Sequence, residues 1–212
     1  MISHLKSIQT HWDQIYATKV TTELGWYEAQ AEPSLGLIQS CSLPKDVPII
    51  DIGSGTSTLI SELLRAGYKN ITALDISPTA LSKAKSLLGD DLAKQVQWIT
   101  KDITIDTDEI EISKVAIWHD RAVMHFLIDE ENRARYLFQL KQAILPGGYV
   151  IISAFALDGA AMCSGLDVMR YDSRMLSDFL GDSFRRIESF TYEYTMPSGD
   201  KRPFVYTRFQ RQ

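Results

Sequence analysis

Two cysteines in 212 residues, Cys41 and Cys163, stand far apart and outside any CxxC pair, so no disulfide framework is signalled. The four histidines form no Cys/His cluster at zinc spacing, and no metal is expected. Positive charge is not in excess: 22 Lys and Arg face 27 Asp and Glu, a net charge of −5. That balance keeps a protein soluble and leaves no electrostatic footprint for a phosphate backbone, so no nucleic-acid partner is expected. Apolar runs fall short of the ~18–20 residues that span a bilayer. The amino-terminal MISHLKSIQTHWDQIY also lacks the apolar stretch of a signal peptide. No membrane association is expected, and a cytoplasmic address is the default. Internal repeats and low-complexity segments are missing too.

What remains is an ordinary globular mixture, 45% apolar and 23% charged, long enough for one α/β domain with a sizeable core. Residues 1–32 are polar and rich in aromatics (His11, Trp12, Tyr16, Trp26, Tyr27) and read as a short helix and loop ahead of the main domain, residues 33–212. Pro33 opens a helical pattern through Leu35, Leu37 and Ile38. The periodicity then changes. Val47–Ile52 is a short apolar run of the kind buried on both faces of a parallel sheet. A tight turn at Gly53–Ser57 leads into a helix through Leu59, Leu63 and Leu64, which Gly67 ends in a left-handed conformation. Ile71–Leu74 forms the next strand, and Ser77-Pro78 caps and opens another helix. Strands are expected at Val96–Thr100, Val115–His119 and Tyr149–Phe155, with Trp98 in the core and a turn at Pro146-Gly147-Gly148. A long helix is expected over 129–144 and a shorter one over 173–180. The segment Ala156–Leu166 reads as a long flexible loop. Two last strands, near 184–196 and 204–210, join through the turn Pro197–Asp200. This alternation predicts a Rossmann-like, doubly wound, mostly parallel seven-stranded sheet with a C-terminal antiparallel hairpin.

In such a sheet ligands bind beyond the carboxyl ends of the strands. The first strand runs into Asp51-Ile52-Gly53-Ser54-Gly55, where two glycines let the backbone come close to a ligand. Asp75 ends the second strand, placed to accept from a ribose diol, and Asp102 follows the third, placed to accept from an exocyclic amine. A dinucleotide fingerprint would need a third glycine where Thr58 stands. Asp51 would repel a pyrophosphate, yet suits a sulfonium or an ammonium.

The runs Ile50–Gly55, Leu74-Asp75-Ile76-Ser77 and Lys101-Asp102-Ile103 resemble the successive cofactor motifs of class I S-adenosylmethionine (SAM)-dependent methyltransferases. Trp118–Leu127, with His11-Trp12-Asp13-x-x-Tyr16 and Trp26-Tyr27, is similar to a subgroup that includes lysine methyltransferases of citrate synthase and of an elongation factor. The turn departs mildly, with Ser-Gly-Thr where many relatives have Cys-Gly or Ala-Gly. The resemblance implies SAM as cofactor and S-adenosylhomocysteine as product. Gly53 and Gly55 would underlie the methionine part, with Asp51 on its ammonium, directly or through water, and His119 bordering it. Asp75 would hold the ribose, Ile76 pack on the adenine, and Asp102 and Ile103 read its edge.

Catalytic candidates are His119 and His125. Each reads either as a general base or otherwise, His119 as a cofactor or acceptor contact or a structural residue, and His125 as a hydrogen-bonded core residue. Asp120 and Arg121 read as an ion pair securing their loop. Trp12, Tyr16, Trp26 and Tyr27 read as a lid over cofactor and acceptor, or as a helix packed on the sheet edge; Arg170 closes the acceptor side or is a surface charge. The acceptor would be a small molecule or a protein side chain, and the protein a monomer or homodimer. A non-catalytic SAM-binding regulator and an NAD(P)-dependent reductase are the competing functions, the second disfavoured by Thr58 and by the lack of a Tyr-x-x-x-Lys pair.

Overall fold

The computed structural model describes residues 2–105 and 112–212, with side chains from Ile8 onward. Helix α1 (Ile2–Thr18) and helix α2 (Glu32–Gln39) precede the sheet. Strands β1 (Ile49–Ile52), β2 (Ile71–Asp75) and β3 (Val96–Thr100) alternate with α3 (Leu59–Arg65), α4 (Pro78–Leu88) and the one-turn α5 (Asp90–Ala93). Then come β4 (Val115–Arg121), α6 (Glu130–Ala143) and β5 (Ile144–Phe155). A two-stranded excursion, β6 (Met162–Cys163) and β7 (Leu166–Asp167), leads to α7 (Ser173–Leu180) and the closing strands β8 (Phe184–Thr195) and β9 (Lys201–Arg211).

The main sheet has the order β3-β2-β1-β4-β5-β9-β8. Its first five strands pair in parallel, whereas β9 runs antiparallel to both neighbours. Strand order reverses at β1 and β4, which opens a crevice between their carboxyl ends. Side chains alternate across each strand, so β1 sends Ile50 and Ile52 into one core with Trp118, Tyr136 and Leu140, and Ile49 into the other with Leu63, Ile117 and Tyr206. A third, smaller cluster joins Tyr16 and Leu24 of the amino-terminal segment to Ala80 of α4.

Local chemistry explains most boundaries. Ser77 accepts from the Ala80 amide with Pro78 at the first helical position, and Asp129 accepts from the Glu131 and Asn132 amides. Two segments differ from expectation. Pro146-Gly147-Gly148 lies within β5, where the register against β4 slips between Val115 and Ile117 and Gly147 takes a φ of 75°. The segment from Ala156 is folded rather than loose: Ser164 and Gly165 both adopt positive φ and turn β6 back on β7. Trp98 is half-buried, its indole donating to the Ala93 carbonyl.

Candidate active site

Parallel register sets Asp51 of β1 beside His119 of β4, with both side chains on one face. They meet at 2.6 Å, Asp51 Oδ1 against His119 Nδ1, and the other ring nitrogen lies 2.9 Å from Ser34 Oγ on α2. With the proton on Nδ1, His119 donates to the carboxylate and accepts from the serine. Ser34 is held there because Pro33 starts α2 and the Ala31 amide donates to the Glu62 carboxylate of α3. Both His119 nitrogens are thereby engaged within the chain, and the ring orients Asp51. Asp51 Oδ2 and Ser54 Oγ, in contrast, are buried without a partner among the described residues.

Those two atoms belong to residues lining a cavity of about 40 Å³ at the carboxyl ends of β1 and β4. Its floor is the turn after β1, where Gly53 and Gly55 have φ of 61° and 49°. A Cβ on Gly53 would lie 2.1 Å from Val123 Cγ2, and one on Gly55 would lie 2.3 Å from the Tyr16 hydroxyl. Tyr16, Leu24, Trp26 and Tyr27 form the opposite wall. Trp12 meets Trp26 edge-on at 5.7 Å and Phe126 at 5.1 Å, just behind that wall.

Asp75 accepts from the Gly55 amide through Oδ2 and from the Ser77 amide through Oδ1, each at 2.8 Å. Burial pushes its carboxyl up to about 6, against the pull of the two amides. Asp120 is likewise pushed up to about 6 by burial, opposed by its hydrogen bonds. An acid with a raised folded-state pKa stabilises the fold as the neutral form: that contribution is complete below the ordinary carboxylate range and is lost as pH rises through about 6. Next along, Gln9 of α1 donates to the Ile76 carbonyl at 3.1 Å, and Asp13 accepts from Ser77 Oγ at 2.5 Å. Asp102 is half-buried and accepts from the Thr104 amide and hydroxyl, while Ile103 is buried in the core.

Asp120 and Arg121 are not an ion pair. Successive strand residues point to opposite faces, so Asp120 accepts from Tyr136 Oη at 2.7 Å and from the Val123 and Met124 amides. Arg121 reaches the cavity side, where Nη2 lies 3.0 Å from Glu28 Oε1, Nε donates to Tyr206 Oη, and Nη1 donates to the Trp26 carbonyl. His125 is fully buried between Phe126 and Phe155, with neither ring nitrogen hydrogen-bonded among the described residues. Burial drives its pKa down to about 3, helped by the Arg121 charge, so it is neutral at physiological pH. It does not line the cavity, and neither does Arg170, which is exposed and points Nη1 toward the Gly159 carbonyl at 3.4 Å.

The residues at this crevice fit an aminoacyl nucleoside. A buried acid oxygen without a partner faces a cavity floored by glycine, and an acid closes each of the next two strands. The family comparison decides which nucleoside. A methyltransferase-domain family matches residues 49–148, which run from β1 to the middle of β5. The chain is similar to the class I SAM-dependent methyltransferases.

EEF1A lysine methyltransferase 2 of Mus musculus is 22% identical over 162 residues, covering 68% of this chain. The match spans 64% of that relative's own length. A SAM-dependent methyltransferase from Anabaena variabilis superimposes with a TM-score of 0.75 at 12% identity, covering 99% of this chain and 95% of its own. The N-methyltransferase NodS from Bradyrhizobium japonicum, solved with S-adenosylhomocysteine, gives 0.69 at 16% identity, with 96% and 97% covered. Four residues at or beside the cavity had no role in the sequence reading: Ser54 and Glu28 line it, Ser34 meets His119, and Val123 packs over Gly53. Glu28 had a local signal, an acid directly after Trp26-Tyr27; Ser34 had none, because it acts through a histidine far along the chain.

Proposed function

We propose that the protein transfers the SAM methyl group to an uncharged nucleophile of a small molecule or a protein side chain. A lysine amine is the acceptor that the named activity of the EEF1A relative favours. The observation that carries the reading is the Asp51–His119–Ser34 chain, which leaves one buried acid oxygen facing the cavity. Asp51 would hold the methionyl ammonium with the Gly53–Gly55 turn beneath it, Asp75 the ribose, and Asp102 with Ile103 the adenine edge. SAM supplies a methyl carbon made electrophilic by its sulfonium. The chain's own contribution is to hold the acceptor in line at ~3–3.5 Å and to keep water out, which needs no base if the nucleophile arrives neutral. Tyr16, Trp26 and Tyr27 would exclude that water, with Trp12 packed behind them.

Calorimetric titration with SAM, S-adenosylhomocysteine and NAD(H) tests the cofactor. Micromolar binding of the first two and none of the third is expected; silence from SAM would refute the reading. Asp75 gives a sharper result. A carboxylate accepts from both ribose hydroxyls and its neutral acid does not, so SAM affinity should fall as pH drops through about 6. Asp75→Asn should bind at least tenfold more weakly at pH 8 and lose that pH dependence. Affinity unchanged in Asp75→Asn would remove the ribose assignment.

A further inference from the structure

On the reading above, one acidic side chain of the cavity takes no part in holding the cofactor. Glu28 lies in the link between the amino-terminal aromatics and α2, its side chain only 9% exposed. Its Oε1 sits 3.0 Å from Arg121 Nη2, yet off the line of a hydrogen bond, so both atoms are left without one. The two partners are unequal. Arg121 is fixed on every side: Nε on Tyr206, Nη1 on the Trp26 carbonyl, and its plane over the rings of Tyr194 and Phe204 at 5.1 and 5.0 Å. For Glu28, that misaligned guanidinium is the one side-chain partner recorded among the described residues. Burial raises the Glu28 carboxyl, so its charge is held at a cost that a better partner would lower.

The surroundings define that partner. Tyr16, Trp26 and Tyr27 line the same cavity, and aromatic faces with a buried acid favour an ammonium over an anion or a neutral hydroxyl. Across the cavity, Asp51 is turned toward β1 and β4, where His119 holds it. The lining therefore sets two acids, Glu28 and Asp51, against the immobilised Arg121 and against His119, which pairs with Asp51. On the reading above, Asp51 takes the cofactor's ammonium, and Glu28 keeps an Oε1 that no hydrogen bond fills among the described residues.

We infer that Glu28 is the acceptor-reading residue, and that the acceptor reaches this cavity as a primary alkylamine whose ammonium Glu28 binds beside Tyr27 and Trp26. The inference rests on the SAM-site reading and narrows its acceptor to amines. Glu28 sets which molecules are held and where; the bound ammonium must first give up one proton, to Glu28 or to solvent, and the neutral amine then attacks the methyl carbon as the sulfonium leaves as a thioether.

The test uses the full chain saturated with S-adenosylhomocysteine and titrated, at constant ionic strength, with n-butylammonium, n-butanol and n-butyrate. Saturable binding of butylammonium is expected, with the alcohol and the carboxylate at least tenfold weaker. In Glu28→Gln the amine should lose at least tenfold, while S-adenosylhomocysteine affinity stays within threefold and the melting temperature holds. Amine affinity equal in Glu28→Gln and wild type would overturn the inference, as would preference for butyrate, which would make Arg121 the reader. A folded Glu28→Gln protein that no longer binds S-adenosylhomocysteine would also overturn it, because Glu28 would then be a cofactor ligand. Should the variant fail to fold, the three-probe comparison on wild type decides alone. Wild-type protein that ignores S-adenosylhomocysteine sinks the SAM reading itself; protein that binds it but ignores butylammonium sinks only the role of Glu28.

Discussion

Asp51→Asn is expected to remove SAM binding by about 100-fold while leaving the protein folded. The carboxylate has two tasks, one per oxygen: Oδ1 receives His119 at 2.6 Å, and Oδ2 faces the cavity without a partner. An amide in the same shape can still turn its oxygen to the histidine, so the internal bond survives. The other end then presents an N–H where an ammonium should sit. A hydrogen bond to a charged group contributes ~1.5–3 kcal/mol, and each ~1.4 kcal/mol is tenfold in affinity, which brackets the expected loss. Asp51→Ala should weaken binding similarly but also destabilise, since His119 is left with a buried unpaired N–H at a cost of ~1–3 kcal/mol. Calorimetry and thermal melts on both variants separate the two tasks. A full-affinity Asp51→Asn protein would mean that the charge of Asp51 serves the fold alone.

Gly53→Ala should lower the melting temperature by roughly 5–15 °C, using ~2–4 °C per kcal/mol for a chain of this size. Two costs combine. A residue with a Cβ in the left-handed region loses ~1–2 kcal/mol, and Gly53 sits there at φ 61°. The new methyl would also fall 2.1 Å from Val123 Cγ2, an overlap that the structure can relieve only by moving the segment after β4, at ~1–3 kcal/mol. Val123 resists that shift because its amide is held by Asp120 at 2.9 Å and its β-branched side chain has few rotamers. In a Val123→Ala background the overlap vanishes and Gly53→Ala should cost the backbone strain only. Additive losses in the double variant would show that the two positions do not press on each other.

How much of this was legible beforehand depended on how local the determining chemistry is. Ser77 with Pro78, the carboxyl end of β2 at Asp75, and the left-handed Gly67 at φ 87° could be read from a few adjacent residues, and the structure has them as expected. The Asp51–His119 bond could not, because it depends on the register of two parallel strands brought together by the whole fold. Nothing in the neighbourhood of either residue encodes that pairing. Asp120 and Arg121 are a different failure: the strand was expected to end at His119, but β4 runs on to Arg121, and alternation then sends the two side chains to opposite faces. Ser164-Gly165 likewise carried a hairpin signal that a reading of flexibility overlooked. His125 was expected to be hydrogen-bonded in the core; burial held, but aromatic rings rather than polar partners surround it.

The Tyr16 hydroxyl stands where a side chain on Gly55 would begin, over the cavity of about 40 Å³. On the proposed reading, a cofactor that enters by displacing α1 would leave, once spent, by the same displacement. Lifting α1 also breaks the Gln9–Ile76 and Asp13–Ser77 bonds. Turnover would then be paced by a helix undocking rather than by the bond-making step. A rapid first turnover followed by a slower steady state, with the contrast reduced in Tyr16→Phe if the hydroxyl is a latch, is how that pacing would look in time.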